Sequence, residues 1–282
     1  MRTLMFSVAA TWSGALLCAG QAPPPDPKPA DPPPGASAAL PEEPPSAAKP
    51  TVDDVLDALQ KAGETLRDVR CRVVFEEDNR INLTSVRREG KLLYRKGDPN
   101  PQFFITFERT VQDGRAVADQ KKTWYLFNGQ LLLEGREKTR HVYEWEVASE
   151  GERIDFFDLD KTPFPLPFGH RKDYILERFE VSRVEAKPED PANCDHLVCT
   201  PKPGTRMAKR YRRLEFFVDR DIHLPVRIQA TSTDGYKETR AHFPELGKSA
   251  INTGLKAEDF AEPAEWKKDG YARTRDRLEE KD

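Results

Sequence analysis

The chain has 282 residues, 37% of them hydrophobic, and a formal charge of −3 from 45 basic and 48 acidic side chains. So small a net charge excludes a general nucleic-acid binder, which carries an excess of Lys and Arg. The composition is too polar for an integral membrane protein, and beyond residue 20 no apolar run approaches the roughly 20 residues that span a bilayer as a helix.

Met1-Arg2, the largely apolar Thr3–Leu17 and the small residues Cys18-Ala19-Gly20-Gln21-Ala22 follow the order of a secretory signal peptide. Residues 1–22 are therefore expected to direct export and be removed; a retained anchor is disfavoured because so short a run does not reach across a bilayer. Cys18 follows Leu16-Leu17, a poor match to the Leu-x-small-Cys motif of acylated lipoproteins, so soluble export is favoured over lipid anchoring. Half of the 24 prolines then fall between Pro23 and Pro50. Prolines this dense leave too few backbone donors for helix or sheet, so 23–50 reads as a disordered linker. Roughly 232 residues remain, enough for one domain with its own core.

That domain is expected over 51–265, followed by a charged tail over 266–282. Thr51 with Asp54 makes a capping box, and Val52, Val55, Leu56, Leu59, Ala62 and Leu66 recur at helical spacing, predicting a helix over 52–67. From Val69 the period becomes two. Val69, Cys71, Val73 and Phe75 alternate with mostly charged residues, and similar strands are predicted at 90–95, 103–108, 124–127, 131–133, 140–147, 196–200, 214–218, 225–230 and 238–243. Asn128-Gly129 marks a hairpin turn. About ten consecutive strands joined by short turns describe an antiparallel meander, interrupted by the apolar loop Thr162–Phe168 and a short helix near Asp173–Arg178.

Candidate chemistry is sparse. Serine-hydrolase, zinc-protease, phosphate-loop and dinucleotide motifs are missing, so neither an enzyme nor a cofactor is expected. Two acidic groups, Glu76-Glu77-Asp78 and Asp155, Asp158, Asp160, are nominal carboxylate sites, but a chain with 33% charged residues places such groups on solvated edges anyway. The basic stretch Arg206, Lys209, Arg210, Arg212, Arg213 reads as a charged hairpin face in preference to a phosphate or anionic-lipid patch. His141, His170, His196, His223 and His242 lack metal-ligand spacing, and no metal site is predicted. Cys71, Cys194 and Cys199 leave at least one thiol unpaired, with one disulfide open as an alternative. The abundance of Phe, Trp and Tyr in strands admits an ordinary core or a lined cavity.

The order of segments resembles the periplasmic lipoprotein carrier LolA and its relatives of the LolB and LppX type. The resemblance rests on the first helix leading into a charged alternating strand, on Gly90-Lys91-Leu92, on the Asn128-Gly129-Gln130 turn, and on Thr162-Pro163-Phe164-x-Leu166. It continues through Leu197–Lys202, Asp219 and Asp221 with Leu224-Pro225, and Asp259-Phe260. It implies an α+β fold in which a single curved antiparallel sheet forms an unclosed half-barrel with helices over its concave face. It also implies a periplasmic monomer that carries lipoprotein acyl chains or other lipid without covalent chemistry, makes peripheral membrane contact and works with envelope transport proteins. An envelope sensor or scaffold on the same fold is the alternative. The expected cavity lining is Val73, Phe75, Leu92, Tyr94, Phe103, Ile105, Phe107, Leu126, Phe164, Leu166, Phe216 and Ile228. By the resemblance, Arg95 or Lys96 latches the helical lid.

Overall fold

A computed structural model describes residues 49–149, 151–152, 171–268 and 270–276. The expected signal peptide, nearly all of the Pro-rich stretch, Asp155, Asp158 and Asp160, and the loop residues Phe164 and Leu166 lie outside the described residues.

The first helix, α1 (Val52–Thr65), starts as the capping box dictates: Asp54 N–H donates to Thr51 Oγ1 at 3.2 Å, and Thr51 N–H donates to the Asp54 carboxylate at 2.8 Å. Its apolar stripe buries Val55, Leu56 and Leu59, and the chain turns extended at Leu66. Strands β1 (Asp68–Asn79), β2 (Thr84–Arg95), β3 (Gln102–Gln112), β4 (Arg115–Ala116), β5 (Thr123–Phe127), β6 (Leu131–Arg136) and β7 (His141–Glu146) follow. After α2 (Lys172–Arg178) come β8 (Phe179–Val184), β9 (Cys194–Pro201), α3 (Arg206–Arg210), β10 (Tyr211–Asp219), β11 (Pro225–Ser232), β12 (Lys237–His242) and β13 (Ala272–Asp276).

All the strands among the described residues belong to one sheet, ordered β13-β7-β6-β5-β3-β2-β1-β12-β11-β10-β9-β8, with β4 beside β3. The order is that of two meanders joined where β1 pairs β12, Phe75 opposite Ala241. Each pair is antiparallel except β13 with β7. The sheet does not close: β13 and β8 are its two ends. The fold is therefore α+β, a single open and mostly antiparallel sheet of half-barrel type. Within it Gly90 serves a bulge between β2 and β3, where a Cβ would come within 1.9 Å of the Thr106 carbonyl oxygen.

Four elements depart from the sequence expectation. β8 begins immediately after α2, so its alternation merges with the helical segment. The residues 206–210 form a helix, capped by Thr205 and holding Met207 in the core, where a hairpin was expected. Arg115–Ala116, between the predicted strands at 103–108 and 124–127, fold back on β3 as β4. The segment set apart as a charged tail contributes Trp266, 3% exposed, to the core and 272–276 to the sheet. Composition hides this: Trp266 and the part-buried Tyr271 anchor a segment whose other residues are mostly charged or small.

Candidate functional site

Alternation along each strand divides the sheet into two faces, and the registers identify which side chains share one. Cys71 lies opposite Leu92, Leu92 opposite Ile105, and Phe103 opposite both Tyr94 and Phe127. On the other side of β1, Phe75 lies opposite Ala241, Ala241 opposite Ile228, and Ile228 opposite Phe216, which faces Leu197. Of the ten strand residues expected to line a cavity, nine share this face: Val73, Phe75, Leu92, Tyr94, Phe103, Ile105, Phe107, Phe216 and Ile228. They form a band of apolar side chains across the middle of the sheet.

Helix α1 packs on the β8–β11 part of this face, with Val55, Leu56 and Leu59 against Leu197, Cys199, Leu214, Phe216, Ile228 and Ala230. Ile175 of α2 and Met207 of α3 join the same cluster. The β1–β3 part, from Val69 to Phe107, is buried with Leu66 and Ala62 at the C-terminal end of α1. The whole band is closed to solvent as it stands, with Leu56 at 1% and Leu92 at 0% exposure.

Leu126 requires a correction. It lies opposite Phe104 and Leu133 on the reverse face, where it packs with Trp124 and Val142 under Leu255, Phe260 and Trp266. Its neighbours Tyr125 and Phe127 hold the positions that face the α1 side. All four residues of Trp124-Tyr125-Leu126-Phe127 are large and apolar because both faces of β5 are covered, so the alternation that fixed parity elsewhere is lost here.

Of the two expected latch residues, Lys96 reaches the helix. Its ammonium donates to the carbonyls of Gly63 and Glu64 at 3.1 and 3.0 Å, in the last turn of α1, where free carbonyls and the negative end of the helix dipole favour a cation. The last turn carries no basic residue of its own. Arg95 points to the reverse face, bonded to Gln102 at 2.7 Å with its guanidinium 5.7 Å from the centre of the Phe260 ring. Asn252 completes the tie, accepting from Arg67 N–H at 2.7 Å.

The reverse face of β9–β12 carries a polar cavity of about 480 Å³, lined by Glu76, Asp190, His196, Glu215, Phe217, Arg227, Arg240 and His242 among others. His196, 3% exposed, lies between Asp190 (Nδ1 to Oδ2, 3.1 Å) and Glu215 (Nε2 to Oε2, 2.8 Å). Arg227 donates to Asp190 at 3.0 Å and stacks 3.8 Å from the Phe217 ring centre. Burial pushes the Glu215 carboxyl up, but the hydrogen bond to His196 and the Arg213 charge outweigh it and hold the group below its ordinary value of 4.5. Carboxylates and cations balance in this cavity as a network of ion pairs, in which the buried Arg227 Nε keeps no hydrogen-bond partner. Sequence reading missed it because its members come from separate strands; the available signal was Glu215, a carboxylate between the buried Leu214 and Phe216 of β10.

The remaining candidates resolve simply. Glu76, Glu77 and Asp78 pair with Arg87, Lys237 and Arg240 along the strand surface. Among the described residues no three His, Cys, Asp or Glu side chains are grouped to hold a metal ion. Cys71, Cys194 and Cys199 are all free thiols and all buried, so the alternative of a disulfide does not hold.

No family model and no curated protein matches the chain in sequence. Several solved structures are similar. MucB is 16% identical with a TM-score of 0.38, and the match covers 76% of this chain and 63% of that one, so the chain spans less than two thirds of it. A LolA superfamily protein from Nitrosomonas europaea is 9% identical with a TM-score of 0.33, covering 76% of this chain and 99% of that one. An outer membrane lipoprotein-sorting protein domain from Vibrio parahaemolyticus is 11% identical with a TM-score of 0.33, covering 73% and 94%.

Proposed function

We propose that this protein is a periplasmic binding or carrier protein for acyl chains, of a lipoprotein or another lipid, and that it performs no covalent chemistry. The observation that carries the reading is the shared face of the nine residues from Val73 to Ile228, overlaid at one end by α1. An acyl chain offers no hydrogen-bonding group, so recognition reduces to contiguous apolar surface of matching extent. At roughly 25 cal/mol per Å², covering a few hundred Å² of acyl chain supplies several kcal/mol, enough for reversible carriage.

Because the face is already buried, cargo must exchange places with what covers it. α1 is the element suited to move: its hold on the sheet is one apolar stripe, and its C-terminal turn is tied down by Lys96. The resemblance in sequence to LolA-type carriers supports the same assignment, with Lys96 as the latch of the lid. Lipid extracted from protein purified out of a lipid-containing host, identified by mass spectrometry, tests the proposal. Purified protein that yields no lipid and does not take up a fluorescent fatty acid overturns it.

An envelope sensor or scaffold using the same sheet for protein binding is the second reading. The exposed end of the sheet at β13 favours it. A scaffold with a permanently packed interior leaves the fatty-acid probe unbound.

A further inference from the structure

Among the described residues β13 is the one strand that joins the sheet in parallel, and all five of its residues are exposed. A strand that buries no side chain is held by its ladder and by surface contacts alone, which puts it among the least stable elements of a fold. The surface contacts are few. Arg273 pairs with Glu144 at 2.5 Å and with Glu262, and Thr274 Oγ1 lies 2.9 Å from His141 Nε2. The Arg273 side chain is 41% exposed in these pairs, so solvent screens them.

The strand behind it is differently placed. Val142 of β7 is fully buried, and the strand is paired along its length with β6. The outer edge of β7 therefore keeps its shape whether or not β13 covers it. An edge of this kind is a ready template for another extended chain.

We propose that the outer edge of β7 is a docking site for an extended segment of a partner protein, and that residues 272–276 occupy it until that segment displaces them. The resident strand defines the chemistry of the incomer. Arg273 and Arg275 stand on the side of Val142 and Glu144, while Ala272 and Thr274 stand beside His141 and Tyr143, whose rings stack at 4.3 Å. The partner segment thus carries basic side chains at alternate positions, small or hydroxyl residues between them, and runs parallel to β7. Ala272 donates to the Arg140 carbonyl at 2.9 Å. Inward-pointing amides recur at every second residue, so Thr274 N–H also faces β7, and a proline there is incompatible with docking.

The test uses the full chain and a fluorescent peptide with the sequence of residues 271–276. Its binding is measured by anisotropy to the native protein, to Thr274→Pro, and to Thr274→Pro combined with Glu144→Lys. Thr274→Pro removes an inward amide from an exposed strand, so the rest of the fold is retained, as tryptophan fluorescence verifies. The expected result is binding about tenfold tighter to Thr274→Pro than to the native chain, and loss of that gain with Glu144→Lys. Hydrogen exchange is expected to be faster at 272–276 than in β5 and β6, and faster still in Thr274→Pro. Equal affinity for native and Thr274→Pro proteins overturns the proposal, as does exchange at 272–276 that the proline leaves unchanged. A Thr274→Pro protein that elutes as a dimer overturns it as well, since the edge then takes a second copy of this chain.

Discussion

Gly135 lies directly beneath the indole of Trp266: a Cβ at position 135 would come within 2.4 Å of three ring atoms. The indole in turn stands edge-on to Trp124, with ring centres 6.1 Å apart, so the absence of a side chain on β6 seats the segment that covers the reverse face. Gly135→Ala therefore overpacks the site and is expected to cost about 1–3 kcal/mol. Trp266→Ala is expected to cost about 3–5 kcal/mol. In the Trp266→Ala background the glycine substitution becomes nearly neutral. Thermal unfolding of the two single variants and the double variant measures the coupling, and simple additivity contradicts the contact.

Lys96→Met removes the cation from the last turn of α1 while keeping much of the side chain's bulk. Its direct cost to stability is small, about 0.3–1 kcal/mol for a charge at a helix end. The larger effect is expected in dynamics: faster amide exchange over 60–66 and faster release of a bound fatty-acid probe. Arg95→Met, on the reverse face, is expected to change neither quantity. Identical release rates for the two variants would remove Lys96 from the lid.

The two faces are separable by substitution. Ile105→Ala and Leu126→Ala each delete buried apolar volume and are each expected to cost about 2–5 kcal/mol. Only Ile105→Ala is expected to alter fatty-acid affinity, because Leu126 lies under Phe260 and Trp266 on the far side of the sheet. Titration of both variants with the probe, at a temperature where each is folded, provides the comparison.

These positions also show what could be read from sequence. Along β1 and β3 charged or polar residues separate most of the apolar ones, so period two identifies Val73, Phe75, Ile105 and Phe107 as one set. On β5 that contrast is missing, because Trp124 and Leu126 are covered by residues more than 125 positions later. Lys96 was legible through the resemblance, but the choice between it and Arg95 depends on which face each occupies at the end of β2. The His196 network was illegible for a different reason. Asp190, His196, Glu215 and Arg227 meet only because β9, β10 and β11 are neighbours, and nothing local marks them as partners.

The thiols carry a chemical prediction. Burial pushes Cys71 and Cys199 up to about 12, and burial with the nearby Asp219 charge pushes Cys194 up to about 11. The thiolate is the reactive form, so at pH 8 alkylation of these three residues is expected only on unfolding. Peptide mapping after brief iodoacetamide treatment, with and without denaturant, reads this site by site. Rapid labelling of Cys199 in the native protein would mean that the α1 cluster around it opens readily.

Stability is expected to fall as the solution becomes acidic, in two stages. Burial, with the Arg227 charge, holds His242 below its ordinary value of 6.5. The unfolded chain then binds a proton that the folded chain resists, so stability rises with pH across this window and is lost as pH drops below about 6.5. At Asp68, burial raises the carboxyl, but bonds from Thr253 N–H and Oγ1, both 2.7 Å, and Gly254 N–H at 3.1 Å outweigh it. Its contribution is present above the ordinary 3.8 and disappears as pH falls through the lower folded value. Denaturant midpoints between pH 8 and pH 3 trace both stages, and His242→Gln is expected to flatten the first alone.

The pairing of β1 with β12 joins residues 68–79 to residues 237–242, so the middle of the sheet is also its most distant contact in sequence. A ribosome must deliver most of the chain before this seam can form, which favours slow assembly. Each meander alone ends in a raw edge shaped to receive the other. Two separately expressed halves, divided between β7 and α2, are thus predicted to be aggregation-prone apart and to reconstitute one protein when mixed.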